Sequence, residues 1–177
     1  MKERQRERLA VRLKDFILGF QDGVVSNLGL VLGVAIATLS TRIVIISGVA
    51  AALGEFISMA AVAYTSTEAS ESYYKSEKHR RFNIPKEYRD PIESGLLVGV
   101  SNILGSAIAL LPFFFLDIST AIKFALIFCA IALFLTGVVR AKLTFGNWFR
   151  SGMELLIIGM VAAIAGYFIG RILGIAV

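Results

Sequence analysis

The chain has 177 residues, 56% of them hydrophobic and only 18% charged, with a formal net charge of +5. A water-soluble domain of this size rarely carries so apolar a composition, and the apolar residues come in long blocks, without the polar stripe of a surface helix. A membrane β-barrel is excluded too, because its spans alternate apolar and polar residues over shorter segments.

The first fifteen residues are polar and rich in base, and the apolar run that follows holds Asp22 and lacks a clear cleavage site. No leader peptide is recognised, so this run is expected to stay in the mature protein. Crossing a hydrocarbon layer of about 30 Å takes about 20 apolar residues at a rise of about 1.5 Å each. Five stretches approach or meet that length: residues 16–37, 43–66, 92–116, 120–140 and 151–176. The first is the weakest, because of Asp22. The expected fold is all-α: a polytopic membrane protein with five transmembrane helices in a single domain, 1–177. The turns after spans one and three, LSTR and LDIS, are tiny. The segment 67–91 is the one sizeable extramembrane piece. It begins in a helix-compatible style, and Asn83, Pro85, Asp90 and Pro91 read as turn and restart signals. Pro112 near the end of span three is expected to loosen that helix by removing a hydrogen bond. Glu154 reads as a first-turn acid of span five, favoured by the helix dipole. Cys129, the single cysteine, has no intrachain partner for a disulfide and reads as a small buried side chain.

The bases are placed asymmetrically. Six precede span one, six lie between spans two and three, and three between spans four and five, so fifteen of 18 fall on one side; Arg42, Lys123 and Arg171 fall on the other. Short cytoplasmic loops collect Lys and Arg. The amino terminus and segment 67–91 are therefore expected in the cytoplasm and the carboxy terminus outside. Anionic lipid headgroups account for the basic tail, and no nucleic-acid partner is expected.

The stretch FQDGVVSNLGLVLG in span one places an acid where charge is costly, by about 2.5–3.5 kcal/mol at a helix centre on insertion scales. By the rise per residue, Asp22 lies about 9 Å from the basic side, Met59 of span two about 10 Å and Glu55 about 16 Å. Ser26 and Asn27 lie one turn beyond Asp22, and Ser101 and Asn102 of span three come near the level of Glu55. These side chains form a candidate polar layer: Asp22, Met59 and Glu55 as metal ligands, with Ser26, Asn27, Ser101 and Asn102 lining a pathway. A carboxylate that holds either a metal ion or a proton is the minimum chemistry for exchanging the two. Carboxylate and amide oxygens suit hard or borderline dications, while a thioether is softer, so Asp22 with Met59 points to iron(II) or manganese(II). Methionine is also ordinary filler in membrane helices. Gly19, Gly23, Gly29 and Gly33 have the small-xxx-small spacing of close helix packing, and Gly23 beside Asp22 also leaves room for an ion. Glu68 and Glu71, three apart, are either a cation-gathering cytoplasmic entrance or a solvated helix end. VSNLG at 25–29 and VSNILG at 100–105 are a faint internal echo of the kind found in transporters.

FQDGVVSNLGLVLG, GEFISMAAVAY and LTGVVRAKLTFGNWFRSGMELLIIGMVAAIAGYFIG resemble the vacuolar iron transporter family, and the resemblance covers nearly the whole chain. It implies a five-span homodimer whose ion path runs between the two copies, lined by their first helices. Such a protein moves iron(II), often manganese(II), out of the cytosol in exchange for protons. It implies a vacuolar-type membrane in a eukaryote or the plasma membrane in a prokaryote. The family's span-one aspartate matches Asp22 and its span-two methionine ligand matches Met59. Members commonly carry a glutamate about two turns before that methionine; here Ala51 stands there and the acid is Glu55. The long metal-collecting cytoplasmic domain of well-known members is missing, and Glu68 and Glu71 are not assigned to it. The expected transported ions are iron(II), manganese(II) and protons, with no resident cofactor. No cofactor motif, cysteine pair or paired-histidine site points to an enzyme. The alternative function is a non-transporting membrane structural or interaction protein whose polar layer only holds helices together.

Overall fold

The computed structural model describes residues 3–77 and 90–175. The described chain forms five helices: α1 (Glu3–Thr38), α2 (Thr41–Glu77), α3 (Pro91–Phe115), α4 (Ile118–Thr144) and α5 (Trp148–Ile175). Each is long and apolar enough to cross a membrane, as the blocks of apolar sequence require. α2 runs on to Glu77, so the first part of segment 67–91 is helical. His79 and most of the bases of that segment lie outside the described residues.

Helix boundaries follow local chemistry. Asp90 caps α3, its carboxylate accepting the Ile92 N–H at 3.0 Å, and Pro91 supplies the fixed φ favoured in a first turn. Asn147 caps α5 by accepting the N–H groups of Phe149 and Arg150. That cap starts α5 at Trp148, three residues earlier than the sequence suggests. Glu154 is consequently not a first-turn acid; it lies in the second turn, 3.5 Å from Arg140 Nη2. α4 ends at Phe145, in the left-handed region with φ 53°.

Asp117 caps α4, its Oδ2 accepting the Thr120 N–H at 3.1 Å. The Thr120 backbone N–H, and then its hydroxyl, hold the Asp117 carboxyl below its ordinary value. A depressed carboxyl pKa contributes stability above the unfolded value, about 3.9, and loses it as pH falls through the folded value. Asp117→Ala should therefore melt at a lower temperature than wild type at pH 7, and the difference should vanish in strong acid; a pH series of thermal melts checks this.

α1, α3 and α5 run parallel, with α2 and α4 antiparallel to them, so the described bases Arg12, Lys14, Arg140, Lys142 and Arg150 gather at one end, the basic end. α1 is central. Glycines let its backbone approach its neighbours. A methyl group at Gly33 would stand 3.1 Å from the Gly166 carbonyl of α5, and one at Gly29 would stand 3.2 Å from the Ala162 carbonyl. Val24, Leu28 and Leu32 of α1 bury against Ala109, Cys129, Leu133, Leu155 and Ala163 from α3, α4 and α5. Nearer the other end, Val31 and Ala35 join Val44, Leu110, Phe113, Ala121 and Ala125. At the basic end, Phe134, Trp148 and Phe149 pack edge-to-face with ring centroids 5.8–6.5 Å apart. Aromatic rings favour that depth in a bilayer.

The helices are unequally enclosed. In α3, 56% of the most apolar stretch is buried within the protein, against 17% in α2. α2 leans on α3 through Phe56, Ala60 and Tyr64, which meet Gly95 and Gly99. Its other side is open: a side chain added at Gly54 would meet nothing within 4 Å.

Candidate functional site

Gly19, Gly23 and Gly105 set the geometry of the polar layer by bringing α1 onto α3. A methyl group at Gly23 would run into the Asn102 carbonyl and stand 3.0 Å from the Ser106 nitrogen. One at Gly105 would collide with the Phe20 carbonyl and stand 2.9 Å from the Val24 nitrogen. At this separation short polar side chains bridge the helices. Asn102 Nδ2 donates to Asp22 Oδ2 at 3.1 Å, and the Ser106 hydroxyl donates to the Gly23 carbonyl at 3.3 Å. Toward the basic end the Ser94 hydroxyl donates to Asp15 Oδ2 at 2.7 Å, and Arg12 pairs with Glu93.

Glu55 comes to this layer from α2. Its carboxyl is within electrostatic reach of Ser26, Asp22, Asn102 and Ser106. Its Oε2 is shielded from solvent, and among the described residues no donor meets it. Asn102, itself fully buried, has its Oδ1 in the same condition. So does Asn27, whose Nδ2 donates to the Gly48 carbonyl of α2 at 3.5 Å. Ser26, half-buried, donates its hydroxyl to the Asp22 backbone carbonyl at 2.9 Å. The layer therefore holds more acceptors than donors. A buried acceptor without a donor is costly, and a cation or a proton relieves the imbalance.

Three helices thus bring Asp22, Glu55, Ser26 and Asn102 together. Met59 lies one turn along α2 from Glu55, half-buried and on the same side of the helix. Ser101 is buried, and its hydroxyl donates to the Leu97 and Val98 carbonyls of its own helix. Glu68 is exposed and Glu71 half-buried on the basic-end extension of α2, away from the layer. Among the described residues no three His, Cys, Asp or Glu side chains converge; the acids that meet within one copy are the pair Asp22 and Glu55.

Two participants were not expected. Ser106 stands one turn after Asn102, and that i, i+4 spacing was a usable signal. Asp15 is 6% exposed, although it closes the polar, base-rich run of the first fifteen residues. The echoed VSN strings do not pair. α1 and α3 align at offsets of about 80 residues, as Asp22 with Asn102 shows, whereas the strings are 75 apart. Asn102 consequently lies at the level of Asp22 and not of Asn27.

The VIT family profile matches residues 13–85 and 79–171, nearly the whole chain. The chain belongs to the VIT family. This VIT-family chain is 29% identical over 166 residues to an uncharacterized protein of Methanocaldococcus jannaschii, a match covering 88% of the chain and 86% of that protein. It is 32% identical over 102 residues to protein CCC1 of Saccharomyces cerevisiae, covering 54% of the chain but 31% of CCC1. It is 22% identical over 213 aligned positions to vacuolar iron transporter 1 of Arabidopsis thaliana, covering 90% of the chain and 85% of that protein. Five apolar helices and this family make the chain a multi-pass membrane protein.

Proposed function

We propose that the chain is a divalent-metal transporter that carries iron(II), manganese(II) or both out of the cytosol in exchange for protons. The observation that carries this reading is the acceptor-rich layer, in which Asp22 and Glu55 of different helices face one another's field beside unsatisfied buried oxygens. Oxygen donors of this kind suit hard or borderline dications, and relatives named as vacuolar iron transporters support the substrate class. The exchange follows from the chemistry of a carboxylate, which holds either a dication or a proton. With the basic end in the cytoplasm, protons entering down their gradient drive the metal outward.

The working unit in this reading is a homodimer. Two carboxylates per copy under-fill a dication's coordination, and the open side of α2 carries Gly54, Ser58 and Ala61, small residues suited to close helix approach. Met59 lies one turn from Glu55 and adds a softer donor on the same pathway.

The alternative is a non-transporting protein whose polar residues only bind helices together. The bonds from Ser94 to Asp15 and from Ser106 to Gly23 suit that reading. The unpartnered oxygens of Glu55 and Asn102 do not, because glue satisfies its own polar groups. Purified protein in liposomes under an imposed proton gradient decides between them. Movement of iron(II) or manganese(II) that collapses with the gradient is expected; failure to move either ion sinks the transport reading.

A further inference from the structure

We propose that the turn between α4 and α5 is a binding site for an anionic phospholipid, with Lys142 and Arg150 holding the headgroup and Phe145, Trp148 and Phe149 lying against the start of the acyl chains. The inference rests on the membrane-spanning fold and not on the transport reading.

The depth of the turn is set by the helices it joins. α4 ends at Thr144 and α5 begins at Trp148, and both are long and apolar enough to span. Lys142 stands two residues before the end of α4 and Arg150 two residues after the start of α5, each about 3 Å along the axis from its helix end. So short a connection keeps both bases in the headgroup layer while the two helices span. The helix ends are also packed tightly on one another. A methyl group at Gly137 of α4 would run into the Ser151 carbonyl of α5 and stand 2.6 Å from the Gly152 Cα, and one at Gly152 would stand 2.7 Å from the Phe134 ring. The backbones that carry the two bases are therefore fixed before a lipid arrives, which lowers the cost of binding.

Charge at the turn is one-sided. No acid occurs between Ile118 and Met153, and the next one, Glu154, lies 3.5 Å from Arg140 Nη2. Lys142 and Arg150 are exposed, and among the described residues no carboxylate pairs with either. The N–H groups of Phe149 and Arg150 are taken by Asn147 Oδ1, so side chains make the contact. An arginine fork fits a phosphodiester, and a lysine beside it adds a point charge. Two uncompensated bases favour a headgroup of net negative charge over a zwitterionic one. The rings decide what carries that charge. Phe145 is 98% exposed, and Trp148 and Phe149 are each 56% exposed. A soluble anion would leave these rings in water, whereas the boundary between headgroups and acyl chains covers them.

Trp148 is the single tryptophan of the chain and stands in the site, so its fluorescence reports the lipid bound there. The test places full-length protein in phosphatidylcholine bilayers with a minor fraction of phosphatidylglycerol or phosphatidylcholine brominated near the headgroup end of its chains. Bromine quenches tryptophan on contact. Brominated phosphatidylglycerol should reach Trp148 with an apparent affinity about fivefold or more above that of brominated phosphatidylcholine, the effect of at least one base near anionic lipid. Lys142→Gln/Arg150→Gln should abolish the preference and leave quenching by phosphatidylcholine unchanged. Lys142→Arg/Arg150→Lys keeps both charges and should keep the preference. Arg4→Gln/Arg6→Gln/Arg8→Gln removes three charges elsewhere in the chain and should also keep it. Equal quenching by the two lipids in wild type overturns the proposal, as does a preference that survives in Lys142→Gln/Arg150→Gln. Loss of the preference in the amino-terminal variant replaces the local site with a diffuse field of the whole chain and overturns it too. A Trp148 that neither lipid quenches lies away from the bilayer, and the site falls.

Discussion

Liposomes carrying Asp22→Asn are expected to lose metal transport by about 100-fold, because loss even of an outer partner to a metal ligand costs 10–100-fold. Thermal stability should stay near wild type. The amide at position 22 still offers an oxygen to Asn102 Nδ2, so the bond between α1 and α3 survives while the charge is gone. Asp22→Ala is a poorer test. It leaves the fully buried Asn102 amide without its acceptor, at a cost of about 1–3 kcal/mol, and mixes a stability defect with the transport defect. Glu55→Gln should also impair transport. The amide keeps the shape of the side chain and removes its charge. Metal flux and a melting curve on the same preparations separate the two effects. Full transport by Asp22→Asn would remove the carboxylate from the mechanism.

The second large effect is expected at Gly23. In Gly23→Ala the new methyl group meets the Asn102 backbone carbonyl, and a backbone cannot rotate aside as a side chain can. Overpacking of this kind costs about 1–3 kcal/mol. It pushes α3 outward together with Asn102, so stability and transport should fall together. Other glycines grade the effect. Gly33→Ala should be milder, because its methyl group stands 3.1 Å from the Gly166 carbonyl and a small shift accommodates it. Gly54→Ala meets nothing in the protomer and should gain up to about 1 kcal/mol of helix propensity. Gly54→Leu should leave the protomer folded. In the homodimer reading it should separate the two copies, which size-exclusion chromatography in detergent detects. A Gly23→Ala protein that melts with wild type would show that the close approach of α1 and α3 is not needed.

Much of the molecule was legible in one dimension. Apolar length and the absence of a polar stripe are local properties, and they suffice for five membrane-length helices. The placement of Lys and Arg marked one end of the bundle. Asp22 and Glu55 stood out because an acid inside an apolar block demands a partner. The tertiary structure alone decided which partners meet. Asn27 and Asn102 sit in the same short string, yet Asn102 pairs with Asp22 while Asn27 reaches Gly48 of α2. Ser101 and Asn102 are neighbours, yet one hydroxyl returns to its own helix and the other side chain crosses to α1. Asp15 closes the polar run of the first fifteen residues, yet it is buried against Ser94. The physical reason is that residue type and spacing along a helix determine a face and a depth. Which atoms touch depends on how the helices are rotated and shifted against one another. Glycine contacts spread over α1, α3 and α5 set that rotation and shift, and no single stretch of sequence contains them.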